Sequence, residues 1–65
     1  MQLTINGENR ILEAKCIADI IEHFGLAGKP VIVEADGVVL RQEQWAAAET
    51  REGMVIELVQ FVGGG

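Results

Sequence analysis

Three features of this sequence could do chemistry: the thiol of Cys16, the imidazole of His23, and a terminal carboxylate carried on the closing run Gly63-Gly64-Gly65. Cys16 and His23 are the only nucleophile–base pair available. The pattern described below places them seven residues apart across one helix, so about 10.5 Å along its axis. A base must come within about 3 Å of the proton it takes, so the two cannot work together in one chain. Cys16 reads as a small residue at a helix start. The alternative is a redox or acyl-accepting role, because a helix N-terminus favours a thiolate. His23 falls off the apolar stripe near the helix end and reads as a solvated surface histidine. One cysteine cannot close an internal disulfide, and one cysteine with one histidine cannot complete a tetrahedral zinc site.

The glycines are a different kind of candidate. They are not a phosphate loop, because no helix follows them. Glycine loses more conformational freedom on ordering than any other residue, so Gly63, Gly64 and Gly65 are expected to be mobile and extended in solution. One reading is simple fraying or an appended remnant. The other is functional: a stretch without side chains can thread a narrow tunnel and present its terminal carboxylate inside another enzyme's site. Adenylation would make that carboxylate electrophilic, and a sulfur nucleophile could then turn it into a thiocarboxylate.

The elements that must position this terminus are legible in the pattern. Gln2 to Asn6 alternate polar and apolar, as a half-buried strand does. Asn6-Gly7 signals a tight hairpin, with Arg10 to Glu13 as the returning strand. Ile17, Ile20, Ile21 and Phe24 then mark one helical stripe. Asp19 suits the positive end of that helix, and Gly25 suits a left-handed cap at its close. After Lys29-Pro30, Val31 to Ala35 and Val38 to Leu40 flank Asp36-Gly37, a second two-residue hairpin signature. Arg41 to Glu52 reads as one or two short helical turns and a loop. Trp45 is its anchor, either half-buried in the core or reserved for a partner. Met54 to Phe61 is the longest strand-like run. Phe61 and Val62 are adjacent, so they point to opposite faces of an extended chain. At most one enters the core; the other is expected to serve as a docking contact. A sheet with one helix on one face is an α+β arrangement. The expected organisation is one domain over residues 1–62, with residues 63–65 as a flexible tail.

Composition excludes other classes. Sixty-five residues allow one domain, and with 49% hydrophobic and 23% charged residues the chain folds rather than staying disordered. A net charge of −5, with Arg10, Lys15, Lys29, Arg41 and Arg51 scattered, opposes phosphate backbones, so nucleic acid is not an expected partner. The ten carboxylates show no evident pairing. They read as a solvated acidic surface, with electrostatic matching to a basic partner as the alternative. The aliphatic runs are far shorter than the roughly 18 residues a membrane helix needs, and Met1 leads directly into a strand pattern with no export signal. A lone thiol fits a reducing compartment, hence the cytoplasm.

With these residues in view, the sequence resembles the sulfur carriers of thiamine biosynthesis, the ThiS type. The resemblance runs through Met1 to Gly7, Ile17 to Ile21, Arg41 to Trp45 and the close Gly53 to Gly65, where Val59-Gln60-Phe61-Val62-Gly63-Gly64-Gly65 is its specific part. Cys16 departs from the pattern, since relatives usually carry threonine there, which implies a weaker helix cap. The resemblance implies a β-grasp, ubiquitin-like fold with a mixed sheet of four to five strands, its last strand central. It further implies that the Gly65 carboxylate is adenylated by an E1-like enzyme using ATP. Sulfur would come from a donor such as a cysteine desulfurase, and the thiocarboxylate would supply thiazole synthase. On this view the chain is a bacterial, monomeric protein cosubstrate that holds no cofactor of its own. Gly63 and Gly64 would be its tail, and Phe61 and Val62 its partner contacts. The alternatives are a molybdopterin-synthase small subunit, a ubiquitin-like modifier, and an interaction module with an inert tail.

Overall fold

The two-residue turns organise the sheet. Asn6 and Gly7 both take positive φ (52° and 82°), as do Asp36 and Gly37 (49° and 83°). This is the backbone that a type I′ hairpin turn demands, and it matches the twist of the strands it joins. In the computed structural model, which describes residues 1–61, the first turn joins β1 (Gln2–Ile5) to β2 (Glu8–Ile11). The second joins β3 (Val31–Ala35) to β4 (Val38–Leu40). Strand β5 (Val55–Gln60) completes a five-stranded sheet in the order β2-β1-β5-β3-β4. It runs parallel to β1 and antiparallel to β3, so the sheet is mixed and the last strand is central.

The returning strand begins earlier than Arg10 to Glu13. A two-residue turn forces Ile5 opposite Glu8 and Gln2 opposite Ile11, so β2 ends where its partner does. Leu12 still donates its amide to the Met1 carbonyl at 2.9 Å, just past the ladder.

Strand alternation gives the sheet a covered and an open face. Leu3, Ile5, Val33, Ala35 and Ile56 are buried on one side, where they meet Ile17, Ile20 and Ile21 of α1 (Ile17–His23). The helix is only 7 residues long, too short to persist alone, so it depends on this packing. Gly25 closes it at φ 67°. Its amide reaches the Glu22 carbonyl at 3.0 Å and the Leu26 amide reaches Ile21 at 2.9 Å, the paired bonds of a Schellman cap.

The start of α1 is held by the segment that follows β4. After a 3-10 turn at Gln42–Gln44, the Trp45 carbonyl accepts from the Ala18 amide (3.1 Å) and the Ala48 carbonyl from Ile17 (2.9 Å). Thr50 donates its hydroxyl to the Ala14 carbonyl and its amide to Lys15. Trp45 is 8% exposed, a core residue rather than a half-buried anchor. The turn feeds its ring into the main cluster.

Candidate functional site

Every candidate at the C-terminus depends on how β5 is fixed, and the fixing is redundant. On one flank β5 pairs with β3 from Ala35–Ile56 to Val31–Gln60, and the Phe61 amide continues the ladder to the Pro30 carbonyl at 3.2 Å. On the other flank the ladder with β1 covers only Thr4–Val55 and Ile5–Ile56, because β1 turns away at Asn6. The Asn6 side chain takes over there. Its Oδ1 accepts from the Leu58 amide at 2.7 Å and its Nδ2 donates to the Leu58 carbonyl at 3.2 Å. Asp36 does similar work at the start of the strand: Oδ1 accepts from the Val55 amide at 2.9 Å and Oδ2 from Arg51 at 3.0 Å. Both Asn6 and Asp36 are the turn residues with positive φ, so each combines a turn with a clamp.

Of the residues singled out from sequence, Phe61 lies at the end of this clamped strand. It is 46% exposed and shares the open face with Val55, Val59 and Ile32, which are 47%, 55% and 46% exposed. Phe61 therefore stays outside the core. Val62, Gly63, Gly64 and Gly65 lie outside the described residues.

Cys16 and His23 flank α1 at opposite ends. Cys16 is half-buried, caps the helix without a side-chain hydrogen bond, and bridges to Glu49. His23 is exposed and lies edge-on to Phe24, with ring centroids 4.9 Å apart. Asp19, in the first turn, accepts from the Lys15 amide at 2.9 Å. That bond, assisted by the Cys16 amide and thiol, holds its carboxyl below the ordinary carboxylate range. Among the described residues no three His, Cys, Asp or Glu side chains gather as metal ligands do. Nor is any described helix long and apolar enough to cross a membrane.

Two features escaped the sequence reading. Asn6 was legible only as a turn residue, since its second role needs Leu58, 52 positions away. The other is Glu34 directly opposite Glu57 on β3 and β5. Each sits at a polar position of an alternating strand, and only the register brings them together.

A five-stranded mixed sheet with one helix on one face and a central C-terminal strand defines a ubiquitin-like, β-grasp protein. Comparison with known proteins narrows the class. A profile of the ThiS family matches residues 3–65. The sulfur carrier protein ThiS of Bacillus subtilis is 39% identical over 49 residues, 75% of this chain and 74% of the relative. A thiazole synthase of Paramagnetospirillum magneticum is 30% identical over 66 residues. That match takes in 100% of this chain, which spans only 20% of the synthase. The crystal structure of the thiamine biosynthesis protein ThiS from Geobacter metallireducens matches with a TM-score of 0.81 at 30% identity, over 100% of both chains. The solution structure of a thiamine biosynthesis protein from the same organism also gives 0.81, at 29% identity, over 100% of this chain and 88% of that one. The chain belongs to the ThiS family, the sulfur carriers of thiamine biosynthesis.

Proposed function

We propose that the working group of this protein is the Gly65 carboxylate, carried between enzymes as a thiocarboxylate. An E1-like enzyme joins the carboxylate to the α-phosphate of ATP and releases pyrophosphate. A persulfide sulfur, supplied by a donor such as a cysteine desulfurase, then attacks the acyl carbon and AMP leaves. A thiol cleaves the resulting acyl disulfide, and the thiocarboxylate passes its sulfur to thiazole synthase. The similarity of the whole chain to part of a protein named thiazole synthase favours that partner. The chain itself acts as a cosubstrate without a cofactor, as a cytoplasmic monomer.

The observation that carries this reading is the clamp on β5. Hydrogen bonds fix the strand through Phe61, leaving residues 62–65 a reach of at most about 14 Å beyond a rigid root. A rigid root with a short, side-chain-poor extension suits delivery of a terminus into a deep site, where near-attack geometry tolerates little displacement.

Deleting Gly65 shortens the reach by roughly 3.5 Å. Adding a residue after it moves the reactive carboxylate from its place. Both changes are expected to leave the melting temperature nearly unchanged and to abolish thiocarboxylate formation. Intact mass after incubation with activator, ATP and a sulfur donor reads the exchange of one oxygen for sulfur. Efficient exchange in either variant would place the working group elsewhere, with Cys16 next to be examined.

A further inference from the structure

The parallel ladder between β1 and β5 outlasts β1 itself. The Thr4 amide donates to the Met54 carbonyl at 3.0 Å, and the Asn6 amide to the Ile56 carbonyl at 2.9 Å. Parallel pairing repeats every second residue. In this register the Leu58 amide would next donate to the Asn6 carbonyl, and the Leu58 carbonyl would accept from the Glu8 amide. The turn removes both partners, because Asn6 and Gly7 at positive φ carry Glu8 back to face Ile5 on the other flank of β1. The Asn6 carboxamide replaces them: Oδ1 accepts from the Leu58 amide at 2.7 Å, and Nδ2 donates to the Leu58 carbonyl at 3.2 Å. One side chain thus extends the ladder past the turn. Aspartate lacks the donor and glycine lacks both groups. Asparagine is also among the few residues besides glycine that accept φ 52° readily.

We propose that Asn6 is a positioning residue for the adenylation of Gly65: by holding Leu58, it sets the direction in which residues 62–65 leave the sheet. This rests on the carrier reading above and names a residue that governs its first step. Among the described residues, Leu58 is the last of β5 to be hydrogen-bonded on the β1 flank. Beyond it the β3 flank alone carries the strand. That flank stops at Pro30, which takes the Phe61 amide at 3.2 Å but has no N–H with which to continue the ladder. Without the Asn6 bonds, everything after Ile56 hangs from one flank, and any pivot there is passed on to the terminus. A carboxylate oxygen that attacks the α-phosphate must approach it to about 3–3.5 Å with its orbitals aligned. Asn6 acts on that approach through Leu58, not by touching the reacting atoms, so its effect falls on kcat and not on KM.

The test compares wild-type protein with Asn6→Gly, which keeps the backbone conformation and loses both hydrogen bonds, and Asn6→Asp, which keeps the acceptor alone. Thr50→Val serves as the control: it removes the hydroxyl bond to the Ala14 carbonyl, away from β5. Initial rates of pyrophosphate release are measured with the adenylating enzyme of the same organism and ATP, at a temperature where every variant is folded. For Asn6→Gly, kcat is expected to fall about tenfold, less than the roughly hundred-fold that a misplacement of about 1 Å can cost, because residues 62–65 absorb part of the error. KM should stay within about twofold, as for an interaction that acts only on the transition state. Asn6→Asp should lie between Asn6→Gly and wild type, and Thr50→Val should keep the wild-type kcat while melting at a lower temperature. A wild-type kcat in Asn6→Gly, with AMP still joined to Gly65, would overturn the positioning role and leave the carrier reading standing. A raised KM with kcat unchanged would make Asn6 a contact residue and overturn it too. An equal fall in Thr50→Val would reduce the effect to general loss of stability. Wild-type protein that takes no AMP on Gly65 would sink the carrier reading and this assignment with it.

Discussion

The two faces of the sheet are made by the same strands and serve opposite ends. Leu3, Val33 and Ile56 on the covered face are fully buried, whereas Val59, one turn of the alternation beyond Glu57 on the same β5, is 55% exposed. Each fully buried side chain of this size contributes roughly 1.5–3 kcal/mol through the apolar area it removes from water. The exposed set contributes little of that kind. In a small domain that buries roughly 60% of its unfolded surface, leaving five large apolar residues half-open on one face costs stability that a helix on that side would have supplied. What the open face gains is a surface contiguous with Phe61 and the residues leading to the terminus.

The largest effect should therefore come from the covered side. Ile56→Ala removes a fully buried side chain at the centre of the sheet and is expected to cost about 3 kcal/mol, a large share of a small domain's stability. Val59→Ala, three residues along the same strand, should cost under about 1 kcal/mol, the span of strand preference at an exposed position. Denaturant unfolding of the two variants measures the difference. Equal costs would mean that the assignment of faces along β5 is wrong.

A middle-sized effect tests the clamp that both faces share. Asn6→Ala loses both hydrogen bonds to Leu58 and places alanine at φ 52°. Asn6→Gly loses the hydrogen bonds alone, because glycine accepts that backbone freely. Alanine is expected to cost about 2 kcal/mol and glycine about 1 kcal/mol. Hydrogen exchange at the Leu58 amide should quicken in both. An unchanged Leu58 amide in the glycine variant would show that the ladder with β3 suffices to hold the strand root.

Much of the covered face was legible because its signals are local. The period-two run through Leu3 and Ile5, the stripe Ile17, Ile20, Ile21, and the Asn6-Gly7 and Asp36-Gly37 turns are each set by neighbours a few positions away. The strand β2 was misplaced by two residues at its start, since the return after a turn is fixed by hydrogen-bond register and Glu8 and Asn9 are weak strand formers. The stretch around Trp45 was the least legible. Its shape is set by what it caps, the Ile17 and Ala18 amides some thirty positions earlier, and not by its own periodicity. The same bonds explain how Cys16 is tolerated at the helix start: backbone carbonyls from this segment satisfy amides that a threonine hydroxyl would otherwise help to cap. The open face was legible as alternation only. Glu34 and Glu57 are ordinary polar positions until the register sets them side by side.

The smallest effect contrasts two kinds of carboxylate. Glu34 and Glu57 have no cation beside them among the described residues, so removing their charge should not weaken the fold. Asp19 is held by the Lys15 amide, with its carboxyl below the ordinary value of 3.8. A carboxyl whose pKa is lower folded than unfolded adds stability above the unfolded value, and that contribution disappears as pH falls through the folded one. Asp19→Asn should therefore be slightly less stable than wild type at neutral pH. The gap should close below the ordinary carboxylate range, as wild-type Asp19 takes up its proton. Asp19 is exposed, so water and salt screen the gain and the gap stays modest. Thermal unfolding of both proteins from neutral to strongly acidic pH gives the two curves. A gap that persists unchanged at low pH would mean that Asp19 acts through the shape of its hydrogen bonds, with its charge playing no part.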